Sequence, residues 1–252
     1  MTSTPMNLVL DEDRHWWFAS RTRAILGYLD RYAGSGAHHR RVLDVGCGAG
    51  NMMHHLSHYG EVVGVDTYSP ALTVAQQRGF NVQEGSADDL PFEAASFDIV
   101  TLLDVVEHVP NEHGVFSECY RVLKPGGKLV VTVPALMALW SHNDVINAHQ
   151  RRYTRAELKD KLQRHHLRVL RASYNNFFIF PLAAGLILAR RNRAEPELAS
   201  PHFDNDAYQV EMEPAPPLLN GILSSVGQAE AALMRVVSLP VGTSVLCIAE
   251  KA

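Results

Sequence analysis

Short apolar runs rich in β-branched residues alternate with amphipathic ones along most of this chain of 252 residues. RVLDV (41–45), EVVGVD (61–66), FNVQEG (80–85), FDIVTLLDV (97–105), GKLVVTVP (127–134), LRVLRASYN (167–175) and TSVLCIAEK (243–251) have the length and composition of strands. Residues 50–59, 69–79, 112–123 and 154–166 carry helical spacing, with Pro70 in a first turn and Thr154 and Glu157 set to form a capping box. Strands that are nearly all apolar and alternate with helices predict a parallel sheet covered on both faces, an α/β doubly wound, Rossmann-like fold.

Two regions lie outside this alternation. Residues 11–32 read as one helix with apolar positions at Trp17, Ile25, Leu26 and Leu29, broken by GSGAHHR. Residues 1–40 are therefore expected to be an N-terminal helical cap, with 41–175 and 242–252 as the core. Residues 176–241 read as a helical insertion before the last strand, a substrate lid. In it, FFIFPLAAGLILA (177–189) and LLNGILSSVGQAEAALMRVV (218–237) are expected to bury their apolar faces against each other, and the Pro- and acid-rich stretch between them to act as a flexible gate. A dimer interface or a membrane contact is the competing use of that apolar surface. The run 177–189 is too short to span a bilayer, which needs about twenty residues.

Composition narrows the function classes. A net charge of −4 argues against a nucleic-acid partner, which requires a basic field. Cys47, Cys119 and Cys247 are far apart with no CxxC pair, as expected for reduced thiols in a cytoplasmic protein. The N-terminus lacks the pattern of a signal peptide.

The stretch VLDVGCGAGN (42–51) is the most informative. A strand runs into Gly46, Gly48 and Gly50, whose backbone can turn tightly and approach a ligand. Asp66 closes the next strand, where a carboxylate can accept both hydroxyls of a ribose. Dinucleotide-binding proteins share this logic, but Asp44 before the first glycine suits a cationic amino-acid tail. The spacing is also GxGxG followed by Asn51 rather than GxGxxG.

With VVGVD, GSADDLPFEAASFDIV, LLDVVEHVPN and RVLKPGGKLVVTVP in order behind it, the chain resembles the class I S-adenosylmethionine-dependent methyltransferases over about residues 40–175 and the final strand. The resemblance implies a seven-stranded sheet of order 3-2-1-4-5-7-6 with the last strand antiparallel, and S-adenosyl-L-methionine as cofactor. It places Asp44, Gly46, Cys47 and Gly48 at the methionine part, Asp66 at the ribose, and Thr67, Ala87, Asp88 and Leu103 around the adenine. Ser86 stands where many relatives carry an acid, which leaves Asp88 or water to hold the adenine amino group.

In a doubly wound sheet ligands bind at the carboxyl ends of the strands. DVVEHVP (104–110) and SHNDVINAHQRRYT (141–154) both follow strands there. The arrangement resembles small-molecule O-methyltransferases of the ubiquinone-biosynthesis type, in Asp104, Glu107, His108 and His149 followed by Arg151, Arg152 and Tyr153. Glu107, His108 and His149 are the candidate bases, with His149 foremost. Some relatives hold a divalent metal with such a quartet; no metal is assigned here. Trp17, His142, Arg152 and Tyr153 are expected to face substrate, with pairing of Arg152 to Asp144 as the alternative. Arg23, in preference to Arg21, is expected to reach the cofactor carboxylate. The expected activity is methyl transfer to a small molecule at a hydroxyl with a histidine base, and a homodimer is allowed for. N- or C-methylation, a non-methylating use of the sulfonium, and a non-catalytic cofactor-binding subunit are the rivals.

Overall fold

A computed structural model describes residues 11–34, 39–190 and 216–252. The proposed gate at 191–215 and the leader reading of residues 1–10 lie outside the described residues.

Seven strands, β1 (Arg41–Val45), β2 (Glu61–Asp66), β3 (Asn81–Glu84), β4 (Phe97–Leu103), β5 (Leu123–Pro134), β6 (Leu167–Asn175) and β7 (Ser244–Lys251), form one sheet. Their order is β3-β2-β1-β4-β5-β7-β6. The first five pair in parallel, and β7 runs antiparallel to both β5 and β6. Alternate residues of each strand serve opposite faces. Leu43, Val45, Val100 and Leu102 pack with Phe116 and Cys119 of α5 (Glu112–Val122) and Leu158 and Leu162 of α7 (Arg155–Arg164). Val42, Ile99, Val130 and Ile248 pack the other way, against Ile25, Tyr28 and Leu29 of α2 (Trp16–Tyr32) and Met234 of α9 (Pro217–Met234). Each fully buried side chain of this size contributes about 1.5–3 kcal/mol. The three cysteines are buried and unpaired.

The N-terminal helix is broken in two. After α1 (Asp11–Arg14), His15 takes extended backbone, and its ring nitrogen accepts from Trp17 N–H to cap α2. The glycine loop leads into only one helical turn, α3 (Met53–Leu56), and α4 (Ser69–Gln77) follows β2. Beyond β5 come a 3-10 turn (Met137–Leu139) and α6 (His142–Ile146), so part of the expected loop at 141–154 is helical. Ser141 and Asp144 explain this, since they close a capping box around α6.

The insertion departs from expectation. α9 does not bury its apolar face on α8 (Phe180–Arg190); it lies along α2. A Cβ on Gly227 would meet Ser20 Oγ at 1.8 Å, so glycine is what allows the two helices this close. Asn220 accepts from Trp16 N–H and donates to the Arg14 carbonyl, fastening α9 to the α1–α2 break. The C-terminal half of α9 is therefore sheet cover. α8 instead reaches the 3-10 turn after β5, and its Leu182 stays 66% exposed. Glu230 of α9 roots α8 by accepting from Asn176 N–H at 2.5 Å and Phe178 N–H at 3.1 Å. No helix among the described residues is long and apolar enough to cross a membrane.

Candidate active site

The loop after β1 is shaped by Gly46, Gly48 and Gly50, all in the left-handed region at φ +73°, +51° and +83°. Cβ atoms on Gly46 and Gly50 would meet Val105 Cγ2 at 2.2 Å and Phe80 Cδ2 at 2.6 Å, so both conformation and space demand glycine. Arg78 clamps the outside of the loop by donating to the Ala49 carbonyl and Asn51 Oδ1. Asp66, at the end of β2, accepts from Gly48 N–H at 2.8 Å through one oxygen and from Tyr68 N–H at 2.9 Å through the other. A carboxylate has about four acceptor positions, so two remain for a diol.

Beside the loop, Asp44 is buried and accepts from Thr101 Oγ1 at 2.6 Å. Burial pushes its carboxyl up to about 6, with the Thr101 hydrogen bond and the Arg21 charge only partly offsetting this. Arg21, on α2, reaches across to Asp104 Oδ2 at 2.7 Å and to Thr132 Oγ1 at 3.3 Å. Its Nε is buried with no hydrogen-bond partner among the described residues. Thr132 also ties β5 to the end of β4, donating to Asp104 Oδ1 and accepting Asp104 N–H at its carbonyl.

The turn after β4 carries Glu107, which is fully buried, and neither of its carboxylate oxygens has a hydrogen-bond partner among the described residues. Burial first, then the Asp104 charge, raises its carboxyl well above the usual range. Glu107, His108 and His149 each present a ligand-type atom, and these atoms lie within 4.8 Å of one another. The His108 and His149 rings meet edge to face at 4.7 Å between centroids. Burial, then the neighbouring His149, pulls His108 below the ordinary histidine value.

Asp144 holds the other side of His149. It has no exposed surface and accepts from His149 Nδ1 at 2.9 Å, from Arg152 Nε at 2.7 Å and Nη2 at 2.9 Å, and from Ser141 N–H at 2.8 Å. Burial would raise its carboxyl, but the hydrogen bonds from His149, Arg152 and Ser141 overcome this and hold it well below the usual range. An ionised carboxylate only accepts, so His149 donates from Nδ1, and its neutral form presents the lone pair on Nε2. Charged and titratable groups thus run from the glycine loop to His149: Asp44, Arg21, Asp104, Glu107, His108, His149 and Asp144.

Residues 43–131 match the family described as a methyltransferase domain. The match covers the glycine loop, the next three strands and most of β5. The chain is 36% identical over 115 residues to a ubiquinone biosynthesis O-methyltransferase of Idiomarina loihiensis, a match covering 41% of this chain and 46% of the relative. A protein of the same name from Pseudomonas fluorescens is 38% identical over 101 residues, covering 36% and 42%. The chain thus spans less than half the length of these curated relatives in the match. Among solved structures, a Thermotoga maritima methyltransferase described as a possible histamine N-methyltransferase aligns over 94% of this chain and 93% of its own, at 18% identity and TM-score 0.57. The cyclase SpnF aligns over 93% and 83%, at 18% identity and TM-score 0.59. At such identities these two likenesses show the fold alone.

In the matched region and its flanks, several expected site residues come together and others do not. Asp44, Gly46, Cys47, Gly48 and Asp66 line the loop, and Thr67 follows exposed. Cys47 is packed beneath the loop, and burial, then Asp44, pushes its thiol out of reactive range. Ala87 is buried, Leu103 ends β4, and Asp88 accepts the Ser86 hydroxyl, so the serine engages Asp88 directly. Three expectations are corrected. Arg23 turns away to Ser224 of α9 at 3.0 Å, and Arg21 is the arginine at the site, because α2 presents the Arg23 side to α9. Arg152 is taken up by Asp144 and the Ala135 carbonyl rather than left for substrate. Tyr153 is 2% exposed and donates to Glu112, so it is core. Trp17 is half-buried, edge-on to Trp16, and His142 is exposed on α6. Sequence reasoning missed Arg21 as the link to Asp104 and Asp144 as the anchor of His149.

Proposed function

We propose that this protein is an S-adenosylmethionine-dependent methyltransferase that methylates a small molecule at oxygen, with His149 as general base. The observation that carries it is the Asp144–His149 pair, which fixes Nδ1 as the protonated nitrogen and leaves Nε2 beside Glu107 and His108. The cofactor suits the residues present. Asp44 is a buried carboxylate for an ammonium, the unpartnered Arg21 Nε a donor for a carboxylate, and Asp66 an acceptor for a ribose diol. When bound, the cofactor supplies an already activated methyl group. The work left to the chain is to orient an acceptor hydroxyl and take its proton. His149 Nε2 takes it, and the resulting imidazolium is stabilised by Asp144, which remains ionised. Burial disfavours a competing cation on His108 next to that imidazolium. The O-methyltransferase named among the relatives and the exposed leucines of α8 support an acceptor with a ring hydroxyl and an apolar part, α8 serving as one wall of its pocket.

Incubation with S-adenosylmethionine and 4-hexylcatechol as probe should give a product 14 mass units heavier. His149→Ala should lower its rate about 10²-fold or more while leaving cofactor affinity within about twofold. A His149→Ala enzyme as fast as wild type removes the base. A second reading is favoured by the unpartnered Glu107 oxygens: Glu107, His108 and His149 would hold a divalent metal that lowers the acceptor's pKa. Turnover that survives thorough chelation excludes it.

A further inference from the structure

A second convergence of metal-ligating groups lies apart from the site just described, where α1 meets α3. Asp13 Oδ2 is 3.1 Å from His54 Nε2, and Asp13 Oδ1 is 2.8 Å from His55 Nε2. The three ligand atoms lie within 4.8 Å of one another. The two imidazoles sit nearly stacked, with centroids 3.7 Å apart and planes tilted by 39°. None of the three is at the surface in full: the side chains are 10%, 22% and 23% exposed for His54, His55 and Asp13.

The proton arrangement at this spot is awkward. If both rings are protonated, two cations are stacked at contact distance. If both are neutral and point Nε2–H at Asp13, His54 Nδ1 is left as an acceptor, and it is buried with no hydrogen-bond partner among the described residues. The other tautomer faces a ring lone pair against a carboxylate oxygen. A cation where the two Nε2 atoms and the carboxylate converge replaces those shared protons with ligand bonds.

We propose that Asp13, His54 and His55 form a Zn2+ site that clamps the N-terminal segment onto the helix behind the glycine loop. Two imidazole nitrogens and one carboxylate oxygen are a donor set that zinc favours. Tetrahedral ligands at about 2.1 Å from the ion stand about 3.4 Å apart, so the present spacing needs only small side-chain shifts. Partial exposure leaves a fourth position for water. Met53 N–H donates to the Gly50 carbonyl at the start of α3, so a metal held by the next two residues stiffens the loop itself.

The test is a Zn2+ titration of the full chain against a chromophoric chelator, with parallel titrations of Asp13→Asn, His55→Ala and His149→Ala. Circular dichroism and binding of S-adenosylhomocysteine serve as fold controls. The expected result is one zinc lost, or bound at least tenfold more weakly, in Asp13→Asn and in His55→Ala but retained in His149→Ala, which belongs to the other cluster. Anomalous diffraction at the zinc edge from a zinc-soaked crystal should give a peak between Asp13, His54 and His55. Unchanged zinc stoichiometry and affinity in both folded variants, or a map with no peak there, overturns the proposal.

Discussion

Burial pushes the Asp44 carboxyl up to about 6, while in an unfolded chain it returns to its ordinary 3.8. Between those values the folded state holds more protons than the unfolded one. The protonated form therefore contributes stability that is complete below 3.8 and lost as pH rises through about 6, about 3 kcal/mol in all. A bound ammonium reverses the preference by favouring the carboxylate. Affinity for S-adenosylhomocysteine should accordingly rise as pH increases towards and through 6, and Asp44→Asn should flatten that rise; calorimetry between pH 5 and 8 reads both. Asp66 acts on the other end of the same ligand. Asp66→Ala should weaken binding by about 1.5–3 kcal/mol through loss of charge-assisted hydrogen bonds, and unchanged affinity in a folded variant would count against the ribose placement. The arginine shows where sequence is mute at this scale. Arg21 and Arg23 differ by two positions on one helix and so point roughly 200° apart. Which one meets the site depends on α9, some two hundred residues downstream, on Thr132 of β5 and on Asp104 just past β4. No local pattern near residue 21 carries that information.

At the scale of elements, the sequence pattern marks some boundaries and hides others, for physical reasons. β1, β2 and β6 begin and end where the sequence places them; for β1 and β2 this is because a strand buried on both faces leaves few polar positions to blur its ends, whereas β6 is a partly buried edge strand. α7 starts at its Thr154–Glu157 box. α6 is hidden in the expected loop at 141–154, although Ser141 and Asp144 carry the same signal three residues apart; five residues give too little periodicity to register. That short helix presents Asp144 to His149 and Arg152. Arg152→Ala should leave Asp144 buried with less compensation and destabilise the fold by about 3–5 kcal/mol in urea unfolding. Gly50→Ala tests the loop: at φ +83° and against Phe80, an added Cβ is expected to cost about 1–3 kcal/mol and to lower cofactor affinity as well. A variant as stable as wild type would mean that the loop relaxes freely.

The insertion is where the whole molecule departs furthest from its sequence pattern. Both apolar segments invite mutual burial, yet α9 is claimed by α2 and the sheet, and α8 is left with Leu182, Leu186 and Leu188 exposed. Long-range packing, not apolar content, decided the outcome: α9 packs on α2, which is much less apolar than α8. If α8 walls the acceptor pocket, its amides should gain hydrogen-exchange protection when S-adenosylhomocysteine and 4-hexylcatechol are both present. Protection that follows protein concentration or added lipid instead would assign α8 to a partner surface.

The central claim is that the glycine loop, Arg21 and the Glu107–His108–His149 cluster are one site. A crystal structure with S-adenosylhomocysteine tests it most directly. The expected structure has the ligand's ammonium on Asp44, its carboxylate on Arg21, its ribose on Asp66, and its sulfur opening towards the space bordered by Glu107, His108 and His149. A ligand bound in the loop with Arg21 still held only by Asp104, and its sulfur directed away from His149, would contradict the claim.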